Sequence, residues 1–67
     1  AKEAVPALTE ALKSKHPAFR YYAAEALGSI GPNAKAAVPA LTDALQDDDK
    51  LWNVRKASAK ALRKINR

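Results

Sequence analysis

The chain has 67 residues, a formal net charge of +5 and a hydrophobic fraction of 48%, with alanine supplying 16 of the 32 residues in that class. Such a length admits one small domain with a thin core, and the absence of cysteine removes disulfides and thiolate metal sites as staples. No window approaches the roughly 20 consecutive apolar residues of a membrane span, and no signal-peptide pattern opens the chain, so no membrane partner is expected and a cytoplasmic setting is the default.

In the first segment, Val5, Leu8 and Leu12 recur at i, i+3 and i+7, which gathers them on one helical face. Pro6 fits a first helical turn, where its missing N–H has no partner in any case; alternatively the helix begins near Lys2 and the proline bends it. Lys13 to Pro17 forms a break, because the residue before a proline is driven out of the helical region. Pro17 then opens a second helix, with an apolar stripe of Phe19, Ala23, Ala26, Leu27 and Ile30. Gly28, Gly31 and Pro32 stop it.

The phrase AKEAVPALTEAL at 1–12 then returns as AKAAVPALTDAL at 34–45, shifted by 33 positions, with Ala36 for Glu3 and Asp43 for Glu10. A longer polar turn follows, Gln46 to Asn53, containing Asp47-Asp48-Asp49. The last segment carries Val54, Ala57, Ala61, Leu62 and Ile65, which align with 19–30 at an offset of 35. Two residues are therefore inserted between the halves of the second copy. Nothing alternates with period two. The expected class is all-α: one domain, 1–67, built as an α-solenoid piece of two helical hairpins and four helices, with repeats over 1–33 and 34–67.

AVPAL-T-E/D-AL in the first helix and F/V-R-x-x-A-A/S-x-AL-x-x-I in the second resemble HEAT repeats, in the short bacterial and archaeal variety also found in phycobilisome lyase-like proteins. Gly28 and Gly31-Pro32 match the usual junction to a following repeat, whereas Arg63 and Asn66 replace those glycines in the second copy. The tetratricopeptide and ankyrin patterns are absent. The resemblance implies a non-enzymatic protein-interaction or scaffold module, either part of a longer array or self-associating into a homo-oligomer. It implies no cofactor. In this family the arginine at Arg20 and Arg55 commonly bridges to acidic side chains of a neighbouring repeat. The chain opens without Met and flush with a repeat boundary, which leads us to expect an excised or designed segment; a piece of a phycobilin lyase-like protein is the enzymatic alternative.

Catalytic chemistry has little to work with. His16 is the single histidine, placed in a turn before proline, and no serine shares a local motif with it, so no catalytic residue is assigned. Three consecutive aspartates do not converge on one cation, so Asp47 to Asp49 read as a polar turn with one Asp capping the next helix, and no metal ligand is assigned. Residues 1–50 carry six basic and seven acidic side chains, whereas 51–67 carry six basic and no acidic ones. Lys56, Lys60, Arg63 and Arg67 fall on one helical face with Lys64 beside it, a row suited to phosphates and hence to nucleic acid as the lesser reading. Its commoner role is to keep a terminal helix polar and to complement the helix dipole. Tyr22 and Trp52 are expected to close the core partly, and Tyr21 to face the polar side. The expected partner surface is Tyr21 and Glu25 from the first copy with Lys56 and Lys60 from the second.

Overall fold

The computed structural model describes residues 2–66, and all regular structure among them is helical. Helix α1 spans Val5–Ala11, α2 Pro17–Ile30, α3 Val38–Ala44 and α4 Val54–Ile65. A 3-10 turn precedes each short helix, over Lys2–Ala4 and Gly31–Ala37. The second of these joins α2 to α3 with no coil between them, so helical structure falls into three stretches, 2–11, 17–44 and 54–65, rather than four separated helices, and the middle stretch is kinked at Gly31 and Ala34. The reason lies in the sequence Gly31-Pro32: Gly31 adopts φ 78°, ψ −144°, a conformation open to glycine, and turns the chain. Pro32 then sets φ for a new helical turn instead of a coil.

Both readings of the repeated proline hold in part. Pro6 and Pro39 sit in the first turns of α1 and α3, and a 3-10 turn extends each helix backward. The threonine of the repeated phrase has the same job twice: Thr9 Oγ1 donates to the Val5 carbonyl at 2.7 Å, and Thr42 Oγ1 to the Val38 carbonyl at 2.9 Å. Pro17 opens α2 after an extended His16. Helix α4 is capped by Asn53, whose side chain accepts from the Lys56 N–H at 3.1 Å, so an asparagine takes the place expected for an aspartate. Asp49 instead closes the preceding turn, accepting from the N–H groups of Leu51 and Trp52.

The core lies between α2 and α4, with α3 and the 3-10 bridge completing it. Leu27, Leu41, Ile65 and Val54 are its largest fully buried apolar side chains, and the other buried apolar positions include seven alanines. Helices this rich in alanine approach closely. A Cβ on Gly28 would stand 3.1 Å from the Ala61 Cα, so a side chain here would press on α4 and glycine suits the close α2–α4 contact. Lower-numbered residues of α2 meet lower-numbered residues of α4, so the two helices run in the same direction.

The stripe expected on α2 needs one correction. Phe19 is 58% exposed, although its counterpart Val54 is fully buried; Ala24 and Gly28 take part in the core instead. The physical reason is that α4 has α2 to bury against at this position, and α2 has no such neighbour in the chain.

Candidate interaction surface

Arg20 reaches out from the first turns of α2 and holds two loops at once. Its Nε donates to Asp47 Oδ2, and Nη1 donates to the Ser14 carbonyl at 2.8 Å. Asp47 also accepts the Asp49 N–H at 2.9 Å, which organises the inserted turn. Burial alone would push the Asp47 carboxyl up. The Arg20 hydrogen bond, the Asp49 amide and the charges of Arg20 and Arg55 more than offset that, and hold it below the ordinary carboxylate value. Arg20 thus bridges the two copies as the family resemblance implies. Arg55, its counterpart, is exposed and makes no ion pair among the described residues.

The aromatic residues exchange the roles expected for them. Tyr21 is half-buried and packs on the core with Trp52, whereas Tyr22 is 59% exposed. The three rings still touch, with centroids 5.6 to 5.7 Å apart. Such separations place the rings in direct contact. They anchor the inserted turn against the start of α2.

Below this cluster a groove of about 300 Å³ runs between α2 and α4, lined by Tyr21, Glu25, Asn53, Lys56, Ala57 and Lys60. Tyr21, Glu25, Lys56 and Lys60, the four residues singled out from the sequence, therefore share one concave surface. Lys56 and Lys60 are exposed, and Ala57 is small and buried, so the walls are charged and the floor is apolar. Asn53 also belongs here; from the sequence it was only the end of the polar turn, with an aspartate expected as the cap. A second groove, of about 320 Å³, lies over the Arg20 clamp between Leu12, Lys13, Ala40 and Asp43.

The cationic row divides. Lys56 and Lys60 face the groove, and Arg63 is exposed beyond it. Lys64 lies against α2, its Cδ 3.5 Å from where a Gly28 Cβ would be. Arg67 falls outside the described residues. His16 is exposed, its N–H bonded to Ser14 Oγ and its ring set edge-on to Phe19. Among the described residues no group of three His, Cys, Asp or Glu side chains is placed to hold a metal ion, and no helix is long and apolar enough to cross a membrane.

No curated protein and no solved structure matches this chain. A family model for HEAT repeats matches residues 1–63, nearly the whole length, with no lyase assignment attached. Together with the all-helical fold and the doubled motif, that match makes this chain a member of the HEAT-repeat family.

Proposed function

We propose that this chain is a non-enzymatic protein-interaction module, an α-solenoid piece with repeats over 1–33 and 34–67, and that it binds a protein partner in the groove between α2 and α4. The observation that carries this reading is the convergence of Tyr21, Glu25, Lys56 and Lys60 on one concavity with an apolar floor. HEAT repeats generally act as protein-binding scaffolds, which supports the same class. The groove is supported on packed helices and not on a loop, so a partner meets a preorganised surface and loses little affinity to ordering. Two lysines facing one glutamate favour an extended segment that carries acidic side chains along α4 and a basic or polar group opposite Glu25. Tyr21 supplies the aromatic anchor.

Nucleic-acid binding by Lys56, Lys60, Arg63, Lys64 and Arg67 is the second reading, favoured by the lack of any acidic residue on α4. It is the weaker one, because Lys64 is turned against α2 and the remaining cations do not form an unbroken row. A phage-displayed peptide selection on the wild-type protein tests both, with the Tyr21→Ala/Lys60→Glu variant as counter-target and generic duplex DNA at low salt as competitor. The expected result is a set of acidic peptides that lose about tenfold or more in affinity on the variant. Peptides that bind both proteins equally, or that DNA displaces stoichiometrically, contradict the proposal.

A further inference from the structure

The turn between α3 and α4 is two residues longer than its counterpart at 13–18, and it carries what that counterpart lacks, a large exposed aliphatic side chain. Leu51 is 87% exposed, although the backbone beneath it is held on both sides. Asp47 is tied to Arg20 and accepts the Asp49 N–H. Asp49 Oδ1 in turn accepts the N–H groups of Leu51 at 3.0 Å and Trp52 at 2.8 Å. Beyond it, Trp52 packs against Tyr21 and Asn53 caps α4. Leu51 is therefore presented to solvent on a preformed turn.

The charges around Leu51 are those of Asp48 and Lys50, both exposed, and Asp49, half-buried. Asp47 is already paired with Arg20, which leaves two acids and one base. The groove between α2 and α4 has the inverse set, two bases and one acid, in Lys56, Lys60 and Glu25. Among the described residues no ion pair joins these three to one another, so their charges remain available. Ala57, buried between them, makes the floor apolar.

We propose that the inserted turn of one copy docks in the α2–α4 groove of a second copy, and the reverse, as a two-fold dimer. This rests on the groove being a binding surface and names its partner. Asp48 and Asp49 of one copy meet Lys56 and Lys60 of the other, Lys50 meets Glu25, and Leu51 covers Ala57 beside Tyr21. Turn and groove adjoin, since Asn53 ends the one and lines the other. A two-fold axis beside Asn53 thus brings each turn to the other copy's groove, and such a contact is closed. Because the turn is already hydrogen-bonded, docking forfeits little conformational freedom. The inverse charge sets favour turn against groove and disfavour turn against turn or groove against groove.

Sedimentation equilibrium from about 20 µM to about 1 mM tests this on the wild type, a turn variant, Asp48→Lys/Leu51→Ser, and a groove variant, Lys56→Glu/Lys60→Glu. All four side chains are exposed, so both variants should keep the wild-type helical circular dichroism. The wild type should pass from monomer to dimer and stop there. Each variant alone should associate at least about tenfold more weakly, because like charges then face each other. An equimolar mixture of the two variants should dimerise again, since one wild-type turn meets one wild-type groove and the substituted pair is once more opposite in charge. A wild-type monomer across the range overturns the proposal. So does a dimer that survives either pair of substitutions, or a mixture no more associated than its components. The peptide selection keeps the two claims apart: acidic peptides that need the groove, found with a monomeric wild type, remove only the second copy as partner.

Discussion

Ser58 is fully buried in α4, and its hydroxyl has no hydrogen-bond partner. A buried hydroxyl of this kind retains its desolvation cost without return. The first copy holds Ala23 at the equivalent place, 2% exposed, so the site accepts a methyl without rearrangement. Ser58→Ala should therefore stabilise the fold by about 1 kcal/mol, raising Tm by about 4–8 °C, as read by thermal or urea unfolding. A lower Tm would mean that the hydroxyl has a partner in solution. The same comparison of copies explains Gly28 and Arg63: the first faces a close helix that a side chain would crowd, while the second faces solvent and is free to be large.

At the level of elements, the inserted turn before α4 is tied to α2 through one side chain. Asp47 and Arg20 are 9% and 19% exposed at their side chains, so their contact is well shielded from water. Because the folded-state pKa of Asp47 is depressed, its contribution is present above the unfolded value, about 4, and is lost as pH falls below that toward the folded one. Asp47→Asn should cost about 1–3 kcal/mol at neutral pH and flatten the acid limb of stability below about pH 4. Urea midpoints measured across that range for both proteins check it; parallel curves would show that another group controls acid sensitivity. Much of this level was legible in the sequence. The prolines, Gly31 and the apolar spacing placed the helices, and the family resemblance placed an acid opposite Arg20. What was not legible depends on neighbours. Phe19 and Val54 read alike as apolar helix starts, but only Val54 has a helix to cover it. Tyr21 and Tyr22 differ by one step of about 100° around α2, and Trp52 lies in an irregular turn whose path no periodicity encodes. Pro32 signalled that α2 stops, but not that a kinked 3-10 segment with no coil leads into α3.

The whole molecule is asymmetric about a common pair of helices. One flank of α2 is apolar and uncovered, α4 is cationic, and between the two helices lies a groove with an apolar floor and charged walls. Near-identical first helices serve the fold, and the differences between the second helices distribute the surfaces. Tyr21, Glu25, Lys56 and Lys60, named from the sequence as a partner surface, lie together because equivalent positions of parallel helices come side by side; Asn53 and Ala57 were not named with them, since one was read only as the end of a turn and the other only as part of an apolar stripe. Above all, the groove between α2 and α4 is proposed as the place where a partner binds. Chemical-shift mapping of the ¹⁵N-labelled protein with a peptide recovered from the selection tests that directly. The predicted result is a contiguous set of shifts at Tyr21, Glu25, Asn53, Lys56 and Lys60. Shifts confined to Arg63 and Lys64, or to Phe19 and Ile30, would contradict it.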